Sequence, residues 1–385
     1  AASTQGGKGR FVESEVTLPD NLQVINAVGK SKEGELTLIG YDNDNGKLFL
    51  AHSKDQGKTW SQKKLEKTDC YVAAVNGEDG SAAVFGYNKK SGMKRVSADG
   101  KVTKVNLQLP EYQATGKESD DMENFVTSAV YADNKLFVTD LNWVVYEVNP
   151  QTGEMSKAFS DSSEKVNRLI AAGTEFALMT DKGIQFADAK SGALAERMQN
   201  DDVLQQAVGK ISKSHNTDSN NIAMTMGDSR DELYYINNDG LFYHKIGGST
   251  TEQLMNGELT SLGDRNVTFQ ALYKFDDKNY MVFVNDSQGA RHCYRYTYDA
   301  DVSAVPQNQI TVYALEDSNA LQQLITAYQK DHPDVMVKKT IGMSGEDGVT
   351  AEDAIRTLNT EVLAGKGPDV LVLDGLPADS YVQKG

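Results

Sequence analysis

The chain has 385 residues, 39 of them basic and 55 acidic, for a net charge of −16. That length exceeds one ordinary domain, and 39% hydrophobic residues can fill a core, so two folded units are expected rather than a disordered acidic polymer. The charge argues against nucleic acid and anionic membranes as partners, because a phosphate surface needs Lys and Arg to displace its counter-ions, and no run of about eighteen apolar residues is present to span a bilayer.

Residues 1–9, AASTQGGKG, are small, polar and Gly-rich, which is the composition of a flexible tether. They lack the charged-then-apolar order of an export signal. RFVESEVTLP follows as a single strand with no partner nearby in sequence. A repeat then begins. IGYDNDNGKLFLAHS, FGYNKKSGMKRVS, LMTDKGIQFADA, YINNDGLFYHKI and FVNDSQGARHCYRY each read as strand, polar turn and strand, with Gly46, Gly92, Gly183, Gly240 and Gly289 in the turns. Glycine takes the positive φ of a hairpin turn without steric cost. LFVTDLNWVVYEV is a sixth copy with Asn142 near that place, and Asn also tolerates the conformation.

A further strand precedes each hairpin (LQVINAVG, CYVAAVNG, FVTSAVYA, RLIAAG, NIAMTMG, FQALYKF) and a third segment follows most of them. Four strands recurring every 40 to 55 residues or so are the sign of a propeller blade. The last unit lacks a clear fourth strand, so RFVESEVTLP is expected to complete it and close the ring, leaving no long unpaired sheet edge. The expected fold over residues 10–303 is therefore mainly β: a six-bladed β-propeller closed by its N-terminal strand. NDDVLQQAVGKISKSHNTDSN is expected as an insertion with a few helical turns.

Ser53, Asp55, Gly57, Thr59 and Trp60 fit the pattern S-x-D-x-G-x-T-W, which resembles the Asp-box of sialidases and many other propellers. There the Asp accepts bonds from turn amides, Gly makes the bend and Trp packs beneath it, so the motif reads as a structural staple. Asp42–Gly46 looks like the start of a calcium loop but is one residue short before its Gly and has Ser53 where a Glu is needed, so it reads as a turn. His52, His215, His244, His292 and His332 show no ligand spacing, and no metal or cofactor is expected. Cys70 and Cys293 lie in different repeats and read as two thiols rather than a bridge.

After residue 303 the pattern changes. QITVYAL reads as a buried strand, and Ser318 caps a helix whose apolar face is Leu321, Leu324, Ile325 and Tyr328. DVMVKKTIG is a second strand. Thr350 and Asp353 open a helix with Ala351, Ala354, Ile355, Leu358 and Val362 on one face, and DVLVLDG is a third strand. A β-α-β-α-β series with short connections gives a parallel sheet, and such sheets bind ligands beyond the carboxyl ends of their strands. Those ends carry Glu316, Asp317, Ser318, Asp374 and Gly375.

ITVYALEDSNALQQLITAYQKDHPDV and TAEDAIRTLNTEVLAGKGPDVLVLDGLPADSYVQKG resemble the opening of a bacterial extracellular solute-binding protein, the sugar-type family that serves ABC importers. The match runs from Ile310 to Gly385. It implies that residues 304–385 are the start of one α/β lobe whose remainder lies outside this chain. It further implies a lipid-anchored extracellular protein on a bacterial surface that captures a small solute, a sugar first of all, and delivers it to the membrane subunits of an ABC importer. Glu316, Asp317, Ser318, Asp374 and Gly375 are the ligand-binding residues on that reading, since carboxylates accept strong bonds from sugar hydroxyls. No catalysis is expected. The propeller serves as a spacer, or binds a glycan or partner at the mouth of its channel. The alternatives are an adhesive propeller at the cell surface and a sialidase-like glycoside hydrolase. Against the latter, arginines are scattered and GRFVESE stands where an Arg-Ile-Pro signature belongs. The open edge of an incomplete parallel sheet leads us to expect self-association.

Overall fold

A computed structural model describes residues 7–42, 46–66, 68–87, 92–113, 122–159, 165–180, 183–213, 221–286, 288–343 and 349–384. Residues 1–6, the turn residues Asn43, Asp44 and Asn45, and His215 lie outside the described residues. Six four-stranded antiparallel sheets follow one another along the chain, each a meander. The strand leading each blade lies innermost: Leu22–Lys30, Val72–Val75, Val126–Ala132, Val166–Ala172, Ala223–Met226 and Thr268–Asp276.

Local turn chemistry sets the meanders. Gly46, Gly92, Gly183, Gly240 and Gly289 all have positive φ, which a β-carbon would strain. In blade three the strained position is Trp143 (φ 58°), one residue past the expected Asn142. The Asn142 side chain instead holds a neighbouring segment, accepting from Gln113 N–H at 2.8 Å and donating to Glu111 O at 3.0 Å. Alternating strand residues then face the adjacent blades. Leu36, Leu38 and Phe49 of blade one, for example, bury against Met281, Phe283 and Cys293 of blade six. Each such side chain contributes about 1.5–3 kcal/mol when fully buried. Cys70 and Cys293 are free thiols.

Blade six is completed by the N-terminal strand Lys8–Glu15, antiparallel to Arg291–Ser303. This strand starts within the expected tether, which is corrected to end before Lys8. The reason is Gly9: its φ of 96° accommodates a register shift between Lys8 and Arg10, and a β-carbon there would lie 2.0 Å from the Tyr298 hydroxyl. Phe11 packs edge-on against Tyr280 and Tyr298, each at 5.5 Å. Glu13 accepts from Ser261 N–H at 2.9 Å, the Ser261 hydroxyl at 2.5 Å and the buried Tyr296 hydroxyl at 2.8 Å.

The Asp-box lies beside this seam. Asp55 accepts from Thr59 N–H at 2.8 Å, the Thr59 hydroxyl at 2.6 Å and the Ser53 hydroxyl at 2.8 Å. Ser53 in turn accepts from Gly57 N–H at 2.7 Å. The Trp60 indole donates to Thr17 O at 3.1 Å, and Arg295 of blade six donates to Gln56 O at 2.5 Å. The insertion after blade four carries helices Glu196–Gln199 and Asp202–Lys213. It is anchored by Asp201, which accepts from Leu204 N–H at 2.9 Å and meets the fully buried His244 ring at 2.7 Å.

Residues 308–371 form one small parallel sheet with Asn308–Ala314 in the centre, Val335–Ile341 on one side and the two-residue Val370–Leu371 on the other. Two helices, Asn319–Asp331 and Ala351–Leu363, connect the strands. The parallel pairing matches the sequence pattern, but the expected α/β lobe is not what forms. The sheet has two small groups of buried side chains and leaves Leu363 86% and Val370 47% exposed. The burying face of the first helix also differs from expectation. Leu324 is 70% exposed, whereas Gln322, Thr326 and Gln329 are buried. The Gln329 amide donates to Glu258 O at 2.7 Å on the propeller and accepts from Val337 N–H at 3.1 Å, so hydrogen bonds override the apolar stripe.

Two outcomes follow from the seam. Glu13→Ala leaves three donors without their acceptor, so urea denaturation should show a loss of about 2–3 kcal/mol; an unchanged midpoint would remove Glu13 from the closure. The Thr59 hydroxyl and amide hold the Asp55 carboxyl down from its ordinary 3.8 to about 2. A depressed carboxyl stabilises the fold above its unfolded value, and the contribution disappears as pH falls through the folded one. The gap in urea midpoint between wild type and Asp55→Ala should therefore be constant near neutrality and shrink between pH 3.8 and about 2; a gap that persists there contradicts the assignment.

Candidate functional site

The structure places the five expected ligand-binding residues just past the carboxyl ends of the strands that finish at Ala314 and Leu371. Ser318 is the helix cap, accepting from Leu321 N–H at 3.2 Å. Asp317 bridges two cations, Arg265 at 3.0 Å and Lys339 at 2.7 Å, and these charges hold its carboxyl below the usual range against the opposing effect of burial. Its role is to join the small sheet to the segment between blades five and six. Gly375 has φ 71° and packs near Leu315, which fits a turn. Glu316 and Asp374 are exposed. None of these residues borders the large cavity of the molecule.

That cavity, about 710 Å³, opens at the axis of the propeller, on the face bearing the turns that follow the inner strands. All six inner strands line it. Each strand contributes an alanine to the lining (Ala27, Ala74, Ala129, Ala171, Ala223 and Ala271), beside larger side chains such as Tyr131, Arg168, Met224 and Tyr273. Its volume falls in the range of small-molecule sites, roughly 300–1,000 Å³. A second cavity of about 370 Å³ lies at the opposite end of blades two and three, near the exposed rings of Tyr71 and Tyr87.

Charged groups at the wide mouth are positioned by backbone packing. A β-carbon on Gly29 would lie 2.7 Å from Val75 Cγ1, and one on Gly77 would lie 2.3 Å from Lys30 O. Two glycines in contact thus bring blades one and two together and fix Lys30 at the rim. The Lys30 ammonium donates to Ser31 O at 3.1 Å and lies 5.6 Å from the Phe275 ring centre. Burial pushes its pKa down, Glu78, Asp228 and Glu33 oppose that, and the neighbouring Lys274 adds to it. Lys274 is itself nearly buried, and although burial opposes its charge, the bonds to Asp277 at 3.0 Å and Asp228 at 3.1 Å raise its pKa. Further in, Arg168 donates to Phe269 O at 3.5 Å. Asn26 Oδ1 is buried in the wall with no hydrogen-bond partner among the described residues.

Sequence reasoning named the mouth of the channel as a place where a glycan or partner could bind, but identified no residue of this site. Its one visible signal is an alanine in every inner strand, which reads as ordinary strand composition until the six strands converge. The histidines hold structural places: His244 with Asp201, His292 between Glu15 at 2.6 Å and Asp286 at 3.2 Å, and His52 with Thr37 at 2.9 Å. No group of three metal-binding side chains occurs among the described residues.

No protein-family model matches the chain, and no curated protein matches it. Similar solved structures include "YCF48 bound to D1 peptide", 12% identical with a TM-score of 0.42, covering 76% of this chain and 97% of that one. A luciferin-regenerating enzyme is 10% identical with a TM-score of 0.45, covering 74% and 95%. BamB from Moraxella catarrhalis is 10% identical with a TM-score of 0.33, covering 71% and 86%. The likeness is one of fold alone. The resemblance to a solute-binding protein is corrected by the chain's own topology: the C-terminal strands form one small three-stranded sheet packed on the ring, and no solute-binding lobe is seen among the described residues. A β-α-β-α-β pattern follows from general packing rules and does not by itself specify that family.

The glycine contact yields one expectation. Gly77→Ala drives a methyl group into the Lys30 carbonyl, an overpacking that should cost about 1–3 kcal/mol. Urea denaturation measures it; a neutral result would mean that blades one and two separate freely at the rim.

Proposed function

We infer that this chain is a binding module, not an enzyme, and that it captures a small polar solute, a carbohydrate first of all, in the mouth of its propeller channel. The observation that carries this reading is the cavity of about 710 Å³ lined by all six inner strands. Its wall combines apolar side chains with many polar and charged ones, among them Asn76, Arg168, Gln270 and Lys274, which suits a polar solute. Asp228 is already ion-paired with Lys274, which suits holding a ligand more than moving a proton. Cell-surface display is part of the proposal, and among the described residues no helix is long and apolar enough to cross a membrane. In this reading the small C-terminal sheet is an accessory to the ring.

A thermal-shift screen of mono- and oligosaccharides tests it, run in parallel on wild type and on Ala129→Trp, which fills the channel from blade three. Sugars that stabilise the wild type should lose their effect on the filled variant. Stabilisation that survives the tryptophan would move the site away from the channel.

A further inference from the structure

The charge balance at the mouth is the reverse of that of the chain. Acidic residues outnumber basic ones 55 to 39 overall, yet the cavity wall carries five Lys and Arg side chains against three Asp and Glu. Two of those cations have carboxylate partners: Lys274 is held by Asp228 and Asp277, and Arg230 by Glu175 at 2.6 Å and Asp188 at 2.5 Å. Lys30 differs. Among the described residues no carboxylate lies within 4.0 Å of its Nζ, and its donation to Ser31 O engages one of three N–H groups. A partly buried ammonium without a counter-ion carries a desolvation cost that an arriving anion offsets. The backbone contact of Gly29 with Gly77 holds the Lys30 backbone in place, so little ordering is required on binding.

Resting on the channel as the binding site, we propose that its solute is a polyhydroxylated carboxylate of the sugar-acid class, whose carboxylate pairs with the Lys30 ammonium. A neutral sugar leaves Lys30 as it is, and forfeits a charge-assisted bond of the stronger kind. The acidic surface elsewhere repels such a solute weakly at physiological ionic strength, where screening acts over about 8 Å, so the local cation decides.

Saturation-transfer NMR and calorimetry with glucuronate and galacturonate, against glucose and galactose, test the proposal on the full chain. The two acids should bind at least about tenfold more tightly than the neutral sugars. Lys30→Gln should abolish that preference and Lys30→Arg should retain it, with melting temperatures confirming that both variants fold. Equal binding of acids and neutral sugars overturns the anionic class while leaving the channel reading in place. A preference that persists in Lys30→Gln overturns the role of Lys30. If none of the four sugars binds, this proposal falls, and the tryptophan-filled variant decides the channel reading separately.

Discussion

A ring of sheets is stable only if it closes, and here closure depends on the pairing of Lys8–Glu15 with Arg291–Ser303. Without that pairing the last blade presents a long unpaired strand edge, the hazard that toroidal folds avoid. The seam is reinforced from several directions. Glu13 gathers three donors from blade six and the segment before it. The Asp-box turn of blade one adds a bond from Arg295 to Gln56 O, and its Trp60 holds Thr17, where the closing strand passes into the first blade. A motif that is local in sequence therefore fastens the two ends of the propeller together.

The same architecture explains where a ligand can sit. Large side chains fill the interfaces between blades, where Phe49, Phe137 and Phe283 are essentially inaccessible. The axis is left open, lined by the small and large side chains of the six inner strands together, from Ala129 to Tyr131 and Tyr273. The rim then differs from blade to blade, since each turn after an inner strand has its own length and charge.

The propeller was legible because its signals are local. Turn glycines at a regular period, one orphan strand at the start and a missing strand at the end define six closed blades without any long-range information. The parts that were not legible depend on contacts between residues distant in the chain. Gly29 looks like a weak point in a strand until Gly77 is seen against it. Leu324 and Tyr328 complete a helical stripe, yet Gln322 and Gln329 are buried because their partners are polar groups outside the helix, including the Glu258 carbonyl. Asp317 looks like a ligand-binding carboxylate at a strand end, and Arg265, from the propeller, takes it. A pattern reading assumes apolar packing, and this interface uses hydrogen bonds and ion pairs instead.

The geometry of the closing strand also determines how the ring responds to force. Lys8 pairs with Ser303, so the incoming and outgoing chains leave the same end of the pair. Tension between them peels the strands apart one rung at a time instead of shearing all rungs together. Arg10 sits at that fork, donating to Ser303 O at 3.1 Å and to Pro333 O of the small sheet at 2.7 Å, and Ala304 N–H donates to Gly7 O at 2.9 Å. One guanidinium thus acts as a clasp on the zipper: a pull on the C-terminal sheet has to rupture it before the first rung opens.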